Sequence, residues 1–159
     1  MACVLLALSG CKSYQVGAPT LHRFDVRSVH VPIFESDSHR QFLGQRLTEA
    51  VVKEIELNTP FTVTTFERAQ SVLVGQISRE QKRSIIESAN DDPRVLQYEM
   101  AVDVSWTDRA GAPLMQRQVL NLNRDVDFIP EAGQSLTTAQ QEIINRIARQ
   151  IVGQMEMPW

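Results

Sequence analysis

Among the residues of this chain able to carry catalysis or hold a metal, the candidates to weigh first are three histidines (His22, His30 and His39), two cysteines (Cys3 and Cys11) and the acidic pair Asp91-Asp92. None of them has the spacing that such chemistry requires. A helical zinc site of the His-Glu-x-x-His kind needs two histidines on one helix face, and the histidines here stand singly. Both cysteines precede Lys12, so the body of the chain holds no thiol pair for a disulfide or a zinc ribbon. Asp91-Asp92 could be read as a general acid and base, but flanked by Asn90 and Pro93 it has the make-up of a tight turn. There is no Gly-x-Ser-x-Gly elbow and no glycine-rich phosphate loop. The expectation is a protein that is not an enzyme and uses no metal or cofactor.

Cys11 is the residue whose surroundings point to a modification. Val4-Leu5-Leu6-Ala7-Leu8 is a short apolar run, followed by Ser9-Gly10-Cys11 and then by the polar Lys12-Ser13-Tyr14-Gln15. The run is far shorter than the roughly 20 residues a spanning helix needs, and its abrupt end reads as a processing segment. Leu8-Ser9-Gly10-Cys11 resembles the lipobox of bacterial lipoproteins. That resemblance implies that residues 1–10 are a signal peptide, although Met1-Ala2-Cys3 lacks the usual cationic region, and that Cys11 is acylated. Each buried CH₂ of an acyl chain contributes about 0.8 kcal/mol, so several chains on one cysteine make a durable membrane anchor.

These residues need a scaffold. A chain of 159 residues with 43% hydrophobic and 22% charged residues is long and apolar enough for one core. A net charge of −3 without any long Lys/Arg run argues against nucleic acid as a partner. Residues 11–25 read as lipidated cysteine and tether, because Gly17-Ala18-Pro19-Thr20 cannot continue a helix. Residues 26–159 read as one α+β domain.

Within it, Val29, Val31 and Ile33 alternate with Ser28, His30 and Pro32, predicting a strand with one buried face that Pro32 confines to an edge or end. Ser38 is a candidate N-cap for a helix from about His39 to Leu57, with Leu43, Leu47, Ala50, Val51 and Ile55 on one face. Phe61–Phe66 has the β-branched and aromatic make-up of a short strand. Ser71–Ile77 is apolar on both parities at its start, as where a strand is covered on both sides, and turns polar from Ser78 to Arg83, so its far end is expected in water. Leu96 to Trp106 alternates strictly with Gln97, Glu99, Ala101, Asp103, Ser105 and Thr107 and is the clearest strand. Asp108-Arg109-Ala110-Gly111 supplies a hairpin turn into a strand from about Leu114 to Asn123, extendable to Phe128. A closing helix carries Leu136, Ala139, Ile143, Ile144, Ile147, Ile151, Val152 and Met155 on one stripe. With the short Phe61–Phe66 strand set apart, the order of the principal elements is β-α-β-β-β-α. It predicts a two-layer α+β sandwich with both helices on one face of a mixed, largely antiparallel sheet.

Taken with the lipobox, three stretches carry a family resemblance: Val29-His30-Val31-Pro32-Ile33-Phe34, Leu47-Thr48-Glu49-Ala50 within the first helix, and Ala69 to Ile77 with its x-Leu-x-Gly-x-Ile pattern. The chain resembles a divergent member of the LptE family of lipopolysaccharide-assembly lipoproteins. The resemblance implies a lipid-anchored protein on the periplasmic side of the outer membrane. Such a protein plugs an LptD-like β-barrel translocon, assists its assembly and helps deliver lipopolysaccharide or a related glycolipid. That role needs a rigid wedge with polar sides and cations able to meet phosphates or carboxylates. The candidates for glycolipid contact are Arg79, Lys82 and Arg83, with Arg94 across the turn. Trp106 is assigned to the core face, and Trp159 to core, capping or a partner. The competing function is a regulatory lipoprotein that docks an envelope enzyme such as a cell-wall synthase. The tether from Lys12 to Arg23, at roughly 3.3–3.6 Å per residue, reaches about 40 Å and favours a partner at the same membrane.

Overall fold

A computed structural model describes residues 25–36, 42–87, 93–115 and 120–156, with side chains described for all of these except residues 86, 87, 93, 94, 120 and 131. The elements run β1 (Ser28–His30), β2 (Glu35–Ser36), α1 (Leu43–Asn58), β3 (Thr62–Val63), β4 (Ser71–Glu87), β5 (Pro93–Asp108), β6 (Leu120–Phe128), a 3-10 turn (Pro130–Ala132) and α2 (Leu136–Gly153). They form the expected α+β architecture. The mixed sheet has the order β3-β1-β4-β5-β6, with β2 also paired to β4. Short parallel pairings join β1 to β3 and to β4, and β2 to β4, whereas β4, β5 and β6 form an antiparallel meander.

Strict alternation in β5 decides which face is covered. Tyr98, Met100, Val102, Val104 and Trp106 are all buried and share one core with Leu47, Val51 and Ile55 of α1 and Ile143, Ile144, Ile147 and Ile151 of α2. Both helices therefore lie on that face and touch each other, as helices with one apolar stripe must. Ser135 caps α2, its side chain accepting a hydrogen bond from the Thr138 N–H. Trp106 is a core residue, as expected. Its indole N–H donates to the Ser71 hydroxyl at 3.0 Å, Ser71 donates onward to the Ser28 carbonyl at 3.0 Å, and its ring meets Phe61 edge-on.

The structure corrects several local readings. Burial changes parity at Pro32: Val29 is buried, but Ile33 is 69% exposed and Phe34 takes the inward position. Proline cannot continue the ladder, so the first strand ends at His30 and pairing resumes as β2. Helix α1 begins at Leu43 and not near His39, because Phe42 precedes it in a left-handed conformation (φ 70°). Ser38, the cap expected from the sequence, lies outside the described residues. Four strands lie between the helices, because the short stretch at Phe61–Phe66 does pair in the sheet, as β3. The start of β4 is not covered on both sides, for Val74 is 45% exposed opposite the core face. The strand expected from Leu114 begins its ladder at Leu120 and does run to Phe128; before it, Pro113 bridges to Thr107. The Asp108–Gly111 turn is present, with the Asp108 carboxylate accepting from the N–H groups of Ala110 and Ala112 and Gly111 at φ 86°.

Candidate functional site: the uncovered face of the sheet

The stretches that carry the resemblance meet at one point. Phe34 is buried with its ring against Gly75, so close that a Cβ built there would lie 2.4 Å from the ring. Gly44, in the first turn of α1, lets the helix approach the Phe34 carbonyl, where a Cβ would come within 2.1 Å. Thr48 closes the joint. Its hydroxyl accepts from the Phe34 N–H at 2.9 Å and donates to the Gly44 carbonyl at 2.8 Å. The Val-Pro-x-Phe segment, the helix around Leu47-Thr48 and the Leu-x-Gly-x-Ile strand are thus one packing unit, which fixes α1 on the sheet. That is a structural role.

The opposite face is the candidate site. Register places Gln97, Glu99, Ala101 and Asp103 of β5 on the side away from the helices, level with Asp127, Asp125, Asn123 and Asn121 of β6. Gln97 is the hub. Its amide donates to Asp125 at 3.0 Å and Asp127 at 3.1 Å, while its carbonyl accepts from Arg83 Nε at 2.7 Å. Asn123 donates to Glu99 at 3.1 Å, and Asn121 donates to Asp103. Arg79 and Arg83 each stand 3.9 Å from Glu99. The result is a continuous polar pavement across three strands, held by side-chain hydrogen bonds that fix where each charge sits.

A bulge decides how the predicted cations are distributed. Between Ile77 and Arg79 the β4 ladder slips by one residue. Arg79 and Arg83 therefore join the uncovered face, whereas Lys82, opposite the buried Tyr98, belongs to the helix side together with Glu80. The Tyr98 hydroxyl donates to Glu80 at 2.9 Å. The structure thus brings Arg79 and Arg83 together around Glu99 and separates Lys82 from them. Arg94 lies on β5, but its side chain, like Cys11 and Trp159, is outside the described residues.

Sequence reasoning did not single out Gln97 or the acids of β6. Their signal was the polar half of the β5 alternation, which identifies the face but not its partners.

A second constellation sits at the other end of the sheet. Phe66, 54% exposed, has the His30 ring edge-on at 5.8 Å and the Arg109 guanidinium 5.7 Å from its centre. Arg109 also donates to the Glu67 carbonyl at 3.0 Å, and His30 Nδ1 is 3.1 Å from the Thr64 carbonyl. The Glu67 carboxyl is held below the usual glutamate range, first by its own backbone N–H, then by the Thr65 side chain, with smaller help from the charges of His30 and Arg109. Among the described residues no His, Cys, Asp or Glu group has the arrangement of a metal site. No described helix is long and apolar enough to cross a membrane.

The model of the LptE family, described as lipopolysaccharide-assembly, matches residues 26–156. Comparison with curated proteins yields no match. Among solved structures, a protein from Xanthomonas campestris is 12% identical with a TM-score of 0.59, covering 89% of this chain and 90% of that one. An uncharacterized lipoprotein B from Nitrosomonas europaea is 16% identical with a TM-score of 0.52, covering 89% and 91%. A PelC dodecamer subunit from Paraburkholderia phytofirmans is 11% identical with a TM-score of 0.51, covering 87% and 93%. At these identities the likeness is one of fold.

Proposed function

This chain belongs to the LptE family of lipopolysaccharide-assembly proteins, and on that premise we propose that it is a non-enzymatic lipoprotein of the outer membrane that plugs and helps assemble a β-barrel translocon. Cys11 would carry the acyl anchor on the periplasmic side, with residues 1–10 removed as signal peptide and residues 11–25 serving as tether to a single domain. The observation that carries the reading is the polar pavement. A wedge inside a barrel must present hydrophilic sides to a lumen lined by polar side chains, and must hold them rigid enough to dock. The face built on Gln97, Glu99 and Asp125 has both properties, because its charges are cross-linked to one another over β4, β5 and β6.

Glycolipid contact is proposed for Arg79 and Arg83 on the uncovered face and for Arg94 on β5, with Lys82 meeting lipid from the helix side of the sheet; these guanidinium and ammonium groups suit phosphate or carboxylate. The carboxylate of Glu99 beside Arg79 and Arg83 lowers the local positive potential, so an anionic headgroup would have to displace it. Reversing the charges of Lys82 and Arg83 should weaken lipopolysaccharide binding, and unchanged binding would remove this assignment.

The test of the main reading is affinity purification of the tagged, lipidated protein from detergent-solubilised outer membrane, with mass spectrometry of what is retained. A stoichiometric large β-barrel protein is expected. Recovery of a periplasmic synthase, or of no barrel, would favour the regulatory function instead.

A further inference from the structure

Among the described residues, two unpaired stretches of strand edge, one on β4 and one on β6, carry opposite charge on the same face. Beyond Ile77, where β2 ends its pairing, no described strand lies along the outer edge of β4, and none lies along the outer edge of β6. Unpaired edges offer backbone groups to another strand unless charge or shape prevents it. On the uncovered face the free part of β4 presents Arg79 and Arg83, 65% and 55% exposed, while β6 presents the exposed Asp125 and Asp127. Two β4 edges brought together would set arginines against arginines, and two β6 edges aspartates against aspartates. Symmetric pairing of like edges is therefore disfavoured, and pairing of unlike edges favoured.

We propose that this chain self-associates head to tail, the outer edge of β6 in one copy adding to the free edge of β4 (from Arg79 onward) in the next. The direction of the strands is compatible with this. β4 and β6 are both antiparallel to β5 and so run parallel to each other. A neighbour rotated about an axis along the strands keeps that direction, and it keeps its helices on the same side. A register that clears β2 sets Asn121 opposite Arg79 and thus Asp125 opposite Arg83, with Asp127 one face position further on. The hydrogen-bonded chain Arg83–Gln97–Asp125 then continues across the junction. On the helix side the same register opposes Lys82 and Arg124, with Glu80 diagonal to Arg124. The contact is heterologous, so it generates a ring or an open array and not a closed two-fold dimer. It goes beyond the barrel reading and requires no barrel.

The experiment is analytical ultracentrifugation of the purified full-length chain in detergent, over a range of concentrations, at about 50 mM and about 500 mM salt. The average mass should rise with concentration at low salt and the apparent dissociation constant weaken roughly tenfold at high salt. Arg83→Glu and Asp125→Lys should each reduce self-association. Their equimolar mixture should recover assembly with the two variants alternating, since Asp125 of the Arg83→Glu copy meets Arg83 of the Asp125→Lys copy and the two substituted side chains meet with opposite charge at the other junction. Formation of mixed assemblies also shows that both variants are folded. A parent chain that is monomeric at every concentration, variants that assemble like the parent, or a mixture that does not associate would each overturn the proposal. Asp125, unlike Arg83, is not among the residues assigned to glycolipid, so the Asp125→Lys result bears on self-association alone.

Discussion

Replacing Gly75 by alanine tests whether the joint between α1 and the sheet is as tight as the geometry states. A Cβ at this position meets three atoms of the Phe34 ring at 2.4, 2.5 and 2.7 Å. Ordinary carbon–carbon contact is about 3.5–4.0 Å, so the ring must retreat by about 1 Å. It has little room to do so. Phe34 is only 2% exposed, its backbone N–H is bonded to Thr48, and its carbonyl abuts Gly44. Overpacking of this kind costs about 1–3 kcal/mol, offset by the roughly 0.5–1 kcal/mol that alanine gains over glycine in a strand. The net expectation is a loss of about 1–2 kcal/mol, or a Tm lower by about 2–8 °C for a domain of this size. Urea unfolding of Gly75→Ala, Phe34→Leu and the double variant would measure it. Leucine removes the ring atoms that clash, so the double variant should be more stable than the sum of the singles predicts, by about 0.5 kcal/mol or more. A neutral or stabilising Gly75→Ala, or strict additivity, would refute the account of why glycine stands there.

Thr48→Val keeps the shape of the side chain but leaves the buried Phe34 N–H without its acceptor, and should cost about 1–3 kcal/mol in the same urea assay. Ser71→Ala strands the Trp106 indole N–H in the core, with a comparable loss and a change in tryptophan fluorescence in the folded state. Gln97→Leu should scarcely alter the core, yet it cuts the link between Arg83 and the two β6 acids; NMR should show Asp125 and Asp127 freed while the helix amides stay in place. For Glu67 the folded-state pKa is lowered, so its stabilising effect is present above the unfolded-state value and is lost as pH falls through the folded one. Carboxyl NMR titration should place Glu67 below the usual glutamate range, and Thr65→Val should raise it more than Arg109→Met does.

The covered face was legible in the sequence because it depends on periodicity alone. Tyr98 to Trp106 alternate and Ile143 to Ile151 recur at helical spacing, and the structure buries both sets in one core. What alternation cannot carry is a change of phase. Pro32 turns Ile33 outward and Phe34 inward, and the bulge after Ile77 moves Arg79 and Arg83 to one face and Lys82 to the other. Read as a run, Arg79, Lys82 and Arg83 look like one cationic patch; with the bulge in place they divide between the two sides of the sheet. The acids facing Arg83 through Gln97 are 28 and 30 residues from that glutamine in sequence, and nothing local ties them to it. Register therefore converts a generic polar strand face into a specific surface, with positive charge along one edge and negative along the other. The same bulge governs both proposals for this protein. If a variant that removed it restored uninterrupted alternation, Lys82 would exchange faces with Arg83, and glycolipid contact and self-association would change together.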